Sequence, residues 1–338
     1  MELASLPYSP VPSQPVIARI PSAGGLGLRV VRWRPTARRT RGTVCLLQGR
    51  AEFIEKYFEV VMELRRRGFA VVAFDWRGQG GSDRPLANPR KGHVDDFSDY
   101  VADLRAVVER VVREATPAPH FALAHSMGGC ILVHALLDDP RLFSRVVMTS
   151  PMFGIAGLRR PRGARLLAAA LDVCGFGGSF IPAGGETSVA TKPFADNPLT
   201  SDPVRYARSG DFIAAAPWLG LGDPTIGWVH AAFRAMDPFS DPNVPLRVET
   251  PMLLVMPARD SVTLTPVAER FAARLKAGRA LVIPGAEHEL LMERDDVRSL
   301  FWAAFDAFIP GTPSEKPEPE VSGRTDGQPD ESAEAATS

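Results

Sequence analysis

The feature that most constrains this chain is a repeated alternation. Short, largely apolar runs are followed by longer segments with apolar residues at helical spacing. TVCLLQ (43–48), FAVVAFD (69–75), HFALAH (120–125), RVVMTS (145–150), PMLLVMP (251–257) and RALVIPG (279–285) are the apolar runs. Between them lie Tyr57, Val60, Val61 and Leu64, stopped by Gly68, then Phe97, Val101, Leu104, Val108, Val111 and Val112 after Asp95 and Asp96. MGGCILVHALL follows the third run, and Val297, Phe301, Phe305 and Phe308 close the series. A strand buried on both faces reads as a continuous apolar run, and helices that cover such a sheet read as amphipathic. The pattern therefore predicts an α/β protein with a mostly parallel central sheet flanked by helices. VIARI and LRVVRW, in the region of roughly 17–34, surround a glycine-rich turn and predict an antiparallel hairpin at one edge.

The rhythm divides the chain. Residues 1–16 read as an irregular lead-in, 17–152 and 241–311 as the core, and 312–338, rich in proline, acids and serine, as a disordered tail. Residues 153–240 interrupt the alternation with Gly, Pro, Ala and aromatics, and sit between two core strands. An excursion from strand ends predicts a helical cap over a site.

Composition narrows the class. Lysine plus arginine and aspartate plus glutamate are 39 each, so the basic excess expected of a nucleic-acid binder is missing. The MELASLPYSPVPSQPV start lacks the basic and apolar regions of a signal peptide, and no apolar run nears the ~18 residues of a membrane span. The expectation is a cytoplasmic protein, with the cap as the face for any peripheral contact with the inner side of a membrane. Cys45, Cys130 and Cys174 are odd in number and lie in apolar stretches, which predicts buried free thiols rather than disulfides or metal ligands. No metal or organic cofactor is called for, and oligomeric state is not legible.

Chemistry gathers at Ala124-His125-Ser126-Met127-Gly128-Gly129, which follows a strand and opens a helix. In that setting a Gly-x-Ser-x-Gly elbow lifts a serine hydroxyl above the sheet. Ala124 replaces the first glycine but keeps the position small. A serine needs a base. Of six histidines, His288 follows the last strand in GAEHELL, at a carboxyl end. His125 is expected to point away from the hydroxyl, His120 and His134 to be packing residues, and His93 and His230 to lie in loop or cap. Asp260 follows PMLLVMPAR and can fix the imidazole tautomer. Asp223 and Asp237 are its rivals. Ser126, Asp260 and His288 are thus the predicted catalytic residues, in the order such hydrolases use. The backbone N–H groups of Met127 and Arg50 are predicted to form the oxyanion hole. Trp218 and Trp228 are predicted to contact substrate from the cap. FDWRGQGGSD (74–83) reads as a structural turn that pairing of Asp75 with Arg77 would brace.

QGRAEF, DWRGQGGSD, HSMGG and the PARDSV…PGAEHELL pair resemble the lysophospholipase and monoacylglycerol lipase branch of the α/β-hydrolases, whose members include serine aminopeptidase S33-like hydrolases. NPLTSDPVRYAR and LGLGDPTIGW resemble the cap of bacterial lysophospholipases. Gln48 stands where many relatives have His. The resemblance, over roughly 40–310, implies an α/β-hydrolase fold with an inserted helical cap and a serine carboxylic ester hydrolase acting on a single-acyl lipid through an acyl-enzyme on Ser126. Lysophospholipase heads the readings. Monoacylglycerol lipase, general esterase, proline-type aminopeptidase and non-catalytic scaffold stay open.

Overall fold

The computed structural model describes residues 2–310 except residues 23 and 159, so the expected tail falls outside the described residues. In chain order the elements are β1 (Val16–Pro21), β2 (Gly27–Trp33), β3 (Gly42–Leu47), α1 (Phe58–Arg66), β4 (Phe69–Phe74), α2 (Phe97–Val107), β5 (His120–His125), α3 (Met127–Asp138) and β6 (Arg145–Thr149). An insertion carries α4 (Pro161–Leu171), α5 (Pro203–Ala215) and α6 (Ile226–Met236). Then come α7 (Val244–Arg247), β7 (Met252–Pro257), α8 (Thr265–Ala272), β8 (Gly278–Ile283) and α9 (Asp295–Phe308).

The eight strands form one sheet in the order β1-β2-β4-β3-β5-β6-β7-β8. The β1–β2 and β2–β4 pairs are antiparallel and the others parallel. The hairpin therefore caps one edge, as its alternating polar residues allow. The inner strands are buried on both faces, their successive side chains pointing to two different cores, while the edge strands β1 and β8 are largely exposed. Cys45 and Leu47 of β3 face the core beneath α2, α3 and α8, while Val44 and Leu46 face the one beneath α1 and α9. Each such side chain contributes roughly 1.5–3 kcal/mol when fully buried.

Local signals explain the helix ends. The Asp96 side chain accepts from Ser98 N at 2.8 Å, which satisfies an otherwise free N–H at the start of α2. Gly68, at φ +90°, stops α1; a Cβ there would lie 2.5 Å from the Arg39 carbonyl oxygen. The apolar stripe through Val112 continues past α2 as a wider turn of helix, Val108–Arg113.

The structure corrects two readings. Asp75 does not pair with Arg77. Arg77 grips Asp103 through two bonds of 2.7 Å, while Asp75 accepts from Arg29 Nε at 2.6 Å. Arg29 also forks onto Glu55 at 2.7 and 2.8 Å, so a buried ion cluster ties β2 to the loop after β3. Cys174 is exposed, although Cys45 and Cys130 are buried free thiols.

The insertion is fastened to the body by α5. Glu59 of α1 accepts from Arg205 Nη2 and Arg208 Nη1, both at 2.7 Å, and Phe212 packs edge-on against Phe53 and Phe58.

Candidate active site

Ser126 occupies the turn from β5 into α3 at φ 50°, ψ −115°. That backbone region is unfavourable for a residue with a Cβ, and such outliers persist where the surroundings enforce them, at a cost of about 1–3 kcal/mol. Here Ser126 N donates to Thr149 O and Met152 N to Ser126 O, both at 3.0 Å. The turn also needs small neighbours. A Cβ on Gly128 would sit 2.4 Å from the Leu47 carbonyl oxygen and 2.7 Å from that of Gln48.

The loops after β7 and β8 bring the other two residues in. The Ser126 hydroxyl donates to His288 Nε2 at 3.1 Å, and His288 Nδ1 donates to both Asp260 carboxylate oxygens at 3.0 Å. Asp260 is wholly enclosed. Its oxygens also accept from Val262 N and Thr263 N at 2.8 Å and from Thr263 Oγ1 at 2.7 Å. Burial pushes its carboxyl up, but the bond to His288 and the Thr263 donors outweigh it and hold the group below the ordinary range. Asp237 instead pairs with Arg165, and Asp223 accepts from Gly185 N.

The loop after β3 passes beside the serine. The N–H groups of Gly49 and Ala51 are taken by Glu52 Oε2 and Gln79 Oε1. Among the described residues neither Arg50 N nor Met127 N has a hydrogen-bond acceptor. Gln48 is fully buried, with Oε1 unpartnered and Nε2 3.4 Å from Asp75 Oδ1.

These residues open on a cleft of about 330 Å³ lined by Met152, Ile155, Val189, Ala190, Leu199, Trp228 and Val262 as well as Ser126 and His288. Trp228 thus lies where the sequence suggested. Trp218 does not line the cleft. It is 44% exposed, and its ring lies against the Arg29 guanidinium, 5.0 Å from Cζ.

His125 differs from expectation too. It lines the cleft, its ring centroid is 4.9 Å from that of His288, and its Nδ1 bonds Thr149 Oγ1 at 3.0 Å. Burial lowers its pKa to about 4, so it stays a neutral neighbour of His288. The other histidines are held elsewhere: His93 by Thr225 and Asp95, His230 by Asp172, with His120 and His134 half-buried.

Sequence reasoning missed a charged cluster against the site. Lys56 Nζ bridges Glu52 Oε1 at 2.8 Å and Glu289 Oε1 at 2.6 Å, and Tyr57 OH donates to Glu52 Oε2 at 2.7 Å. Burial pushes the Glu52 carboxyl up, but Lys56 and His125 outweigh it and hold it at about 2. Glu52, His125 and Glu289 stand close enough to hold a metal ion, but the Lys56 ammonium already occupies the space between the two carboxylates as their cation. The i, i+4 spacing of Glu52 and Lys56 was the one signal available. The Glu289 contact spans 233 residues and had none.

Comparison with known proteins agrees with this architecture. The sequence model of the family described as serine aminopeptidase, S33, matches residues 38–295. Lysophospholipase L2 of Escherichia coli K12 is 35% identical over 286 residues, 81% of this chain and 81% of the relative. Probable lysophospholipase L2 of Haemophilus influenzae is 31% identical over 258 residues, 76% of this chain and 80% of the relative. A soluble variant of monoglyceride lipase from Saccharomyces cerevisiae, solved with a substrate analog, superposes with a TM-score of 0.68 at 19% identity, covering 88% of this chain and 96% of that one. The protein is therefore an α/β-hydrolase enzyme belonging to the serine aminopeptidase S33 family, in its lysophospholipase and monoacylglycerol lipase branch.

Proposed function

We propose that the protein hydrolyses the carboxylic ester of a single-acyl lipid, a lysophospholipid first, through an acyl-enzyme on Ser126. The observation that carries this reading is the unbroken chain of hydrogen bonds from Asp260 through His288 to Ser126, opening on an apolar cleft. His288 takes the hydroxyl proton as the oxygen attacks the acyl carbonyl. Asp260 holds the tautomer that leaves Nε2 free to accept and stabilises the imidazolium that forms. The developing oxyanion is received by Met127 N–H, at the start of α3, and Arg50 N–H. His288 then gives its proton to the leaving glycerol oxygen, and water repeats the sequence in reverse to release the fatty acid.

Residues 153–240 act as the cap, with Trp228, Val189, Ala190 and Leu199 as its contribution to the acyl wall. No helix among the described residues is long and apolar enough to cross a membrane. Contact with a lipid surface falls instead to the outer side of the cap. Leu166 is 72% exposed and Val173 86% exposed, with Leu167 and Phe176 beside them in sequence and Arg160 and Arg162 exposed at the start of α4. An apolar face flanked by cations suits the headgroup boundary of anionic lipid. Leu166 and Leu167 therefore serve outside rather than in the acyl channel.

A peptidase of this fold would need a carboxylate to receive a free amine. The two in the cleft, Glu52 and Glu289, are both bonded to Lys56. The discriminating experiment measures kcat/KM on lysophospholipids, monoacylglycerols, short nitrophenyl esters and amino-acid arylamides, below their critical micelle concentrations. Long single-acyl esters are expected to lead. Acetyl esters turned over as fast as dodecanoyl ones would make this a small-ester hydrolase, and arylamides in the lead would make it a peptidase.

A further inference from the structure

Arg50 and Arg84 are enclosed cations whose side chains bond backbone carbonyls and no carboxylate, and of the two only Arg50 lines the cleft. Its Cζ lies 5.1 Å from the centroid of the Trp228 ring, and Nη2 donates to the Gly222 carbonyl oxygen at 2.9 Å. Nε is buried with no hydrogen-bond partner. Arg29, Arg77 and Lys56 each grip a carboxylate at 2.8 Å or less. Arg50 has none within ion-pair distance among the described residues. Of the two groups whose charge bears on it, Tyr100 is a phenol that burial keeps neutral, and Asp223 accepts from Gly185 N instead. Burial lowers the Arg50 pKa to about 10, which leaves it a cation at neutral pH. An enclosed charge without a counter-ion is costly. A guanidinium fork suits a phosphate better than any neutral group.

Position gives that charge a use. Arg50 and Ser126 line the same cleft, and the neighbouring carboxylates Glu52 and Glu289 are both bonded to Lys56 rather than to Arg50. A glycerolipid with its acyl ester at Ser126 carries its headgroup on the same short glycerol.

We propose that the Arg50 side chain is the headgroup-recognising residue of the cleft, binding the phosphate of a single-acyl phospholipid and so favouring it over the neutral monoacylglycerol. This rests on Ser126 being the nucleophile toward a single-acyl lipid. Arg50 then does two jobs from one residue: its N–H faces the oxyanion, and its guanidinium faces the phosphate at the other end of the glycerol.

The test compares 1-lauroyl-lysophosphatidylglycerol with 1-lauroylglycerol, which share an acyl chain and differ in the phosphate. In Arg50→Met, kcat/KM on the lysophospholipid is expected to fall about 10- to 100-fold, mainly through KM, as loss of a charge-assisted bond implies. On lauroylglycerol the loss should be smaller by about tenfold, since any disturbance of the Arg50 N–H or of Trp228 acts on both esters alike and only the difference reports the phosphate. Arg50→Lys, which keeps the charge but loses the fork, should fall between. Glycerol 3-phosphate should inhibit the wild type competitively and lose its grip on Arg50→Met, whereas glycerol should do neither. The rate of fluorophosphonate labelling at Ser126 reports that each variant is folded. Arg84→Met serves as the control for a loosened insertion. Arg84 donates to the Trp218 carbonyl but does not line the cleft, so any loss there should be equal on both substrates. Equal losses on both substrates in Arg50→Met would overturn the proposal and make Arg50 a strut for Gly222 and Trp228. An unchanged lysophospholipid rate would overturn it as well. A wild type that hydrolyses neither lipid would instead sink the single-acyl reading beneath it.

Discussion

At the scale of single residues, the site is a set of groups whose roles follow from what surrounds them. The Asp260 side chain is enclosed and accepts from Val262 N, Thr263 N and Thr263 Oγ1 as well as from His288. Asp260→Asn should lower kcat by about 10³- to 10⁴-fold, because the amide favours the wrong imidazole tautomer. A nearly full rate in Asp260→Asn, with a large loss in Asp237→Asn, would move the acid to Asp237. His125 gives a pH prediction. Its folded pKa is about 4 against an ordinary 6.5, so between these values the unfolded chain binds the proton and the folded one does not. Stability therefore rises with pH across that window and is lost as pH falls from 6.5 toward 4. His125→Asn, whose amide can keep the bond to Thr149, should flatten that stretch of a plot of Tm against pH. A slope unchanged by the substitution would assign the acid sensitivity to other groups. That Ser126, Asp260 and His288 come together was legible because each sits just past a strand end, where chain order and residue type suffice. The turning of His125 into the cleft was not. It depends on Thr149 of the adjacent strand, a contact across 24 residues that no local pattern records.

At the scale of elements, the sheet was the easiest part to read. A strand buried on both faces has little choice of residue, and β3, β4, β5 and β7 show it. The insertion was harder. Its helices are separated by irregular stretches rich in proline and glycine, and held by side chains far away in sequence, such as Glu59 under Arg205 and Arg208. Its apolar residues gave no sign of which faced out, and Leu166 and Leu167 proved exposed. Two substitutions test these joints. Gly128→Ala should destabilise the protein by about 1–3 kcal/mol or more, because the new methyl meets the β3 backbone rather than a movable side chain. Chemical denaturation reads it directly, and a neutral result would mean that the elbow can open without loss. Glu59→Ala removes the carboxylate shared by Arg205 and Arg208 of α5 and Arg298 of α9, leaving Arg205 its bonds to Asp202 and Asp295. It should cost about 1–3 kcal/mol and loosen the insertion before the sheet. Hydrogen exchange should then show α5 amides opening earlier than those of β3, and uniform exchange would contradict that order.

At the scale of the whole molecule, two functions are divided between two parts. The sheet supplies the strand ends just past which Ser126, Asp260 and His288 meet. The insertion supplies the apolar wall and the outward face on which Leu166, Leu167, Val173 and Phe176 lie. Replacing Leu166 and Val173 by serine should weaken sedimentation with anionic vesicles several-fold while leaving hydrolysis of a monomeric ester within about twofold. Undiminished vesicle binding would place any lipid contact elsewhere.

The central claim, that Ser126 carries the acyl group, is tested most directly by mass spectrometry of the protein after reaction with a fluorophosphonate. One adduct per chain is expected, on the peptide that contains Ser126, with hydrolysis of lysophospholipid lost in step with labelling. Hydrolysis that persists when Ser126 is fully labelled, or that disappears with the adduct on another residue, would contradict the account.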